Sequence, residues 1–151
     1  MPTKKIKGNL IRITDAIVAE SIDLELDLDP TRVKSSNTDD TYIELDLSTG
    51  TAYNLTLPSI QSLGGFLNAQ IFITDISGTI DPTDSLTIKV ADGSGDTIGG
   101  QPEVAIVSKF SGMYITPLSS TQWGTFYTQN LSRKLAAVTV DEEIALFKPA
   151  P

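Results

Sequence analysis

Cysteine and histidine are both missing from the 151 residues of this chain. Without cysteine there are no disulfides, no thiolate metal sites and no thiol nucleophile. Without histidine the usual general base, the usual neutral metal ligand and any Ser-His-Asp triad are excluded together. No apolar run approaches the roughly 20 residues needed to span a bilayer, and no apolar signal-peptide segment follows the basic start. A soluble protein without membrane insertion, not exported by a signal peptide, is the expectation. Lysine and arginine are also scarce, 11 against 19 acids, for a formal charge of −8. So acidic a chain lacks the cationic surface on which nucleic-acid affinity depends, and nucleic acid is not expected as a partner.

The charge is uneven along the chain. Lys4, Lys5, Lys7 and Arg12 precede the first acid, whereas Asp15 to Asp46 holds ten acids against Arg32 and Lys34. Such asymmetry suits a basic arm docking on an oppositely charged surface, although a solvated terminus is the commoner meaning. The candidate docking residues are Lys4, Lys5, Ile6, Lys7, Leu10 and Ile11, whose charges are screened and need help from apolar burial.

What is plentiful is period-two alternation, the pattern of half-buried strands. Ile22, Leu24, Leu26 and Leu28 alternate with Asp23, Glu25 and Asp27, which predicts one strand within 17–28. Ile43, Leu45 and Leu47 alternate with Tyr42, Glu44 and Asp46, and Tyr53, Leu55 and Leu57 with Asn54 and Thr56. Joined by Ser48-Thr-Gly50, these two read as a hairpin that ends at Pro58. Ser59 to Leu63 reads as a helical turn. Ala69, Ile71 and Ile73 alternate with Gln70 and Phe72, and Leu86, Ile88 and Val90 with Thr87 and Lys89. Val104 to Val107 reads as a strand buried on both sides, and Trp123, Phe126 and Tyr127 as an aromatic cluster closing the core. With turn residues punctuating strands within about ten positions, the pattern predicts an all-β fold, an antiparallel β-sandwich or jelly-roll-like module. The expected division is an N-terminal arm with strands over residues 1–40, the module over 41–129, and a C-terminal arm or strand pair over 130–151.

Three clusters invite chemistry. The acids Asp23, Glu25, Asp27 and Asp29 suggest calcium, but alternate strand positions lie about 6.5 to 7 Å apart, too far to converge on one ion. Asp92-Gly-Ser-Gly-Asp96 lacks the sixth-position glycine and twelfth-position acid of an EF-hand, and reads as a glycine-rich hairpin turn. Tyr114 and Trp123 could form a sugar-stacking platform, against the commoner fate of a lone tryptophan in a core. No catalytic residue, metal ligand or cofactor site is predicted.

A strand ending in "TLP" (Leu55 to Pro58), the pair Gly64-Gly65 before a strand ending in Asp75, an "LTI" strand (Leu86 to Ile88), the turn GDTIG (Gly95 to Gly99) and a lone Trp123 come in that order. In this the chain resembles small β modules of tailed-bacteriophage virion proteins, such as head fibres, decoration proteins and tail-fibre tips. The resemblance covers a little over half the chain and brings scaffold residues, not a catalytic set. It implies a non-enzymatic structural protein of the virion, a capsid decoration or head-fibre protein. As a homotrimer it would bind the major capsid protein or another virion protein. The alternative it implies is a receptor-binding module for a host glycan or surface protein.

Overall fold

A computed structural model describes residues 3–28, 40–63 and 69–128. Eleven strands occur among these residues: β1 (Lys4–Ile6), β2 (Leu10–Thr14), β3 (Asp23–Leu26), β4 (Thr41–Asp46), β5 (Tyr53–Thr56), β6 (Ile71–Asp75), β7 (Leu86–Lys89), β8 (Thr97–Ile98), β9 (Glu103–Ile106), β10 (Gly112–Ser119) and β11 (Gln122–Thr128). They form a five-stranded sheet, β1-β3-β5-β7-β9, and a six-stranded sheet, β2-β4-β6-β10-β11-β8. From β1 to β10 each strand lies in the sheet opposite its predecessor. Through β7, successive strands of one sheet are therefore two crossings apart and run the same way: β1, β3, β5 and β7 are all parallel, as are β2, β4 and β6.

This winding overturns the expected antiparallel sandwich or jelly roll. The fold is mixed, two sheets of mostly parallel strands with very little helix. Among the described residues, antiparallel pairing of strands occurs between β7 and β9 and among β6, β10 and β11. The reason for the misreading is physical: period-two alternation reports that one face of a strand is dry, and it is the same for either strand direction. Direction depends on where the connection leads, and a parallel neighbour requires a crossover. Here the crossover is a strand of the other sheet. Thus β4 and β5 are not a hairpin, since Ser48-Thr-Gly50 carries the chain between sheets. Likewise 90–96 carries it from β7 across to β8. Each turn of the winding takes about the same length of chain: Ile11 lies beside Ile43 and Ile43 beside Ile73, 32 and 30 residues on.

The inward rows are stacked aliphatics, Leu24, Leu55 and Ile88 in one sheet and Ile11, Ile43 and Ile73 in the other, all within a single core cluster. Burial of rows this regular supplies the main driving force. The N-terminal segment belongs to this core. Ile6 and Ile11 are buried, and β1 and β2 are the outermost strands of their sheets. Of the arm with strands expected over 1–40, residues 4–6 are strand rather than arm, because Ile6 enters the core. Strands of both sheets stand on either side of the expected boundary at residue 40. Residues 130–151, expected as an arm or strand pair, lie outside the described residues.

Other elements depart locally. The predicted strand over 17–28 begins only at Asp23. Before it comes α1 (Asp15–Glu20), the α-helix of the described residues. Asp15 occupies its first turn and accepts hydrogen bonds from the Ser48 amide and hydroxyl, while Val18 is buried. A 3-10 turn, Gln61–Leu63, stands where a helical turn was predicted. The strand over 104–107 is β9, an edge strand with only Ile106 buried.

Buried Asp75 sets the turn that joins β6 to its neighbours. Its carboxylate accepts hydrogen bonds from the Ser77 and Gly78 amides, the Ser77 hydroxyl and the Phe110 amide, at 3.0 to 3.2 Å. Gly78 has φ 73°, and a Cβ there would lie 2.3 Å from the Phe110 ring. Only glycine lets Phe110 close over this turn, and the closure brings β10 antiparallel to β6.

Candidate functional site

Alternation that sends aliphatics inward sends the opposite phase outward, so each sheet presents a second face. On the six-stranded sheet that face carries an apolar row across five strands. Leu10, Tyr42, Phe72, Tyr114 and Phe126 are consecutive register partners from β2 through β4, β6 and β10 to β11. The four rings are stacked: Tyr42 on Phe72 at 5.0 Å, Phe72 on Tyr114 at 4.8 Å and Tyr114 on Phe126 at 5.7 Å, with interplanar angles of 12°, 15° and 21°. The spacing matches the distance of about 4.8 Å between neighbouring strands, so the backbone ladder itself sets the stack. The row stays accessible: Leu10 is 67% exposed, Tyr42 47% and Phe126 60%. Beside it, Arg12 bonds Glu44 at 2.8 Å and lies 3.9 Å from Asp46.

The stacking limits what this face can bind. Phe72 and Tyr114 each have a ring on both faces, so neither offers the free face that a sugar-stacking platform needs. A continuous apolar strip with polar margins suits another protein surface.

The outer face of the five-stranded sheet is polar. Lys5, Glu25, Thr56, Lys89 and Glu103 form one register row, with Asp23, Asn54, Thr87 and Ala105 in the next. Asn54 Nδ2 donates to Asp23 Oδ1 at 2.8 Å. A groove of about 950 Å³ lies over this face, where the segments following β3, β5 and β7 leave the sheet.

The predicted contact residues separate. Tyr114 is half-buried within the aromatic row, whereas Trp123 is fully enclosed in the core, so the two do not share a surface. Phe126, expected in the core, stands outward on β11, and Tyr127, opposite Met113 on the other face, is exposed near the end of the strand. Of the docking set, Ile6 and Ile11 are core, and Lys4 bonds Glu20 at 2.5 Å. Lys5, Lys7 and Leu10 are exposed, but only Leu10 joins the aromatic row. Among the described residues no three acids converge as a metal site, and Asp29 lies outside the described residues. Tyr53 is buried under the five-stranded sheet with its hydroxyl unpartnered. Burial, and then the charge of Asp75, push its phenol well above the usual range.

Tyr42, Phe72 and Phe126 were missed as a group. The available signal was that each occupies the wet phase of its strand, where a polar residue is the norm. No family model and no curated protein matches the chain.

Proposed function

We propose that this chain is a non-enzymatic structural protein of a tailed-phage virion, a capsid decoration or head-fibre protein, and that it makes its protein contacts through the outer face of the six-stranded sheet. The observation that carries the contact is the exposed row from Leu10 to Phe126, since apolar surface contiguous over five strands is costly to leave in water. A chain without histidine or cysteine and with no convergent acids among its described residues favours binding over catalysis. The place in a virion rests on the order of the "TLP", "LTI" and GDTIG segments. No helix among the described residues is long and apolar enough to cross a membrane.

The contacts are with copies of itself, as a homotrimer, and with the major capsid protein or another shell protein. Mass spectrometry of purified virions from the source phage should detect the chain at a fixed ratio to the capsid protein; its absence from the particles overturns the virion reading. Phe126→Asp, which places a charge on the exposed row without touching the core, should lower incorporation by about tenfold or more. Normal incorporation of that variant removes the face from the contact. Sedimentation of the intact protein at micromolar concentration should give a trimer, and a monomer refutes self-association before docking.

A further inference from the structure

The groove on the polar face has the makings of a ligand site independent of the virion reading. Its floor is the row Glu25, Thr56 and Lys89, flanked by the Asp23–Asn54 pair. These positions are half-buried, yet Glu25, Thr56 and Lys89 make no side-chain hydrogen bond or ion pair among the described residues. Their hydrogen-bonding capacity is left to whatever fills the groove.

The rims are built rather than loose. On one side the Ser62 hydroxyl donates to the Ser59 carbonyl at 2.6 Å, and on the other the Ser94 hydroxyl donates to the Ala91 carbonyl at 2.6 Å. Buried Asp96 accepts the Ile60 amide at 2.9 Å and so ties the two segments together. A groove held open in this way costs little to order on binding.

Its chemistry narrows the ligand. Asp23, Glu25, Asp27 and Asp92 face a single lysine, Lys89, and this excess of negative charge repels phosphates, uronates and nucleic acids. No aromatic side chain of the described residues lines it, and of its apolar lining Leu26, Leu28 and Leu57 are buried, so the surface it presents is mainly polar. Carboxylates only accept, Lys89 only donates, and Asn54 and Thr56 do both, repeated across strands about 4.8 Å apart. A ligand that meets such a surface must itself carry donors and acceptors at short, regular intervals. From this we infer that the groove binds an extended neutral or amine-bearing oligosaccharide lying across β3, β5 and β7, held by Asp23, Glu25, Asn54, Thr56 and Lys89.

The full chain, titrated with cellotetraose, tetraglucosamine, tetragalacturonate and tetralysine while its backbone amides are followed by NMR, tests this. Cellotetraose or tetraglucosamine should shift the amides of 54–56 and 87–89 saturably, and tetragalacturonate should bind at least about tenfold more weakly. Asn54→Ala and Lys89→Ala should each weaken cellotetraose by about tenfold while leaving the amides of the aromatic face in place. No shift from either sugar at about 10 mM overturns the site. So does tetralysine binding as tightly as the better sugar, which would mark a surface that reads positive charge alone. Undiminished affinity in both variants places the binding elsewhere and equally refutes it.

Discussion

The outward faces of the two sheets arise from the same alternation and the same winding, yet one is a stack of rings and the other a lattice of polar groups. On the six-stranded sheet the wet phase at successive rungs is Leu10, Tyr42, Phe72, Tyr114 and Phe126; on the five-stranded sheet it is Lys5, Glu25, Thr56, Lys89 and Glu103. In a wound sheet a residue meets its counterpart one turn away, so like residues accumulate into rows, and a row multiplies whatever chemistry one position has. Stacked rings gain about 0.5–1.5 kcal/mol per pair beyond their buried area. The polar row gains little from its own members and keeps its valences for water or ligand. One face therefore contributes to stability while staying exposed, and the other leaves its polar groups unpaired at small energetic cost.

The largest test of this picture removes residues 1–8. If β1 is a rung shared with the core, the loss of Ile6 and of the strand covering β3 should lower stability by about 2–4 kcal/mol, read by urea unfolding. An unchanged midpoint would return the segment to an arm. Next comes a matched pair at equivalent outward positions: Tyr114→Ala forfeits two ring stacks and should cost about 2–3 kcal/mol, whereas Thr56→Ala should stay within about 0.5 kcal/mol. Equal effects would erase the distinction between the faces.

A smaller effect is expected beneath the polar face. Tyr53→Phe deletes an unpartnered buried hydroxyl, so at neutral pH it should leave stability unchanged or raise it by up to about 1 kcal/mol. Its pH dependence has a definite sign. The unfolded phenol titrates at about 10 and the folded one higher, so the wild type should hold its stability below that pH and lose it as pH rises beyond. The phenylalanine variant should lack that component of the alkaline loss. A drop of more than about 1 kcal/mol at pH 7 would mean that the hydroxyl has a partner. The smallest effect is none: calcium or EDTA should not move the melting temperature, since Asp23 and Glu25 lie side by side with other side chains rather than around a point. A calcium-dependent rise would show otherwise.

How much of this was legible varies by element. The inward residues of β3, β4, β5, β6 and β7 follow directly from alternation, and the turn at Gln61–Leu63 from its flanking proline and glycines. Helix α1 was hidden because six residues hold too few turns for a helical period to stand out against the alternating stretch that follows. The exposure of Phe126 was misjudged because an aromatic near Trp123 reads as core unless the phase of β11 is known. The outward ring set was visible in principle, as aromatics sharing the phase of Glu44 and Thr74, but nothing in a linear pattern says that four separate strands place them side by side.

By itself the sequence determined the chemistry that this protein lacks, the positions of most strands and which side of each is dry, because these depend on composition and on neighbours two residues apart. Tertiary structure alone decided strand direction, the order within each sheet and hence which outward residues meet. Those depend on connections that bring together residues some 30 positions apart, such as Ile43 and Ile73 or Tyr42 and Phe72, and a separation of that length leaves no local trace in the pattern of side chains.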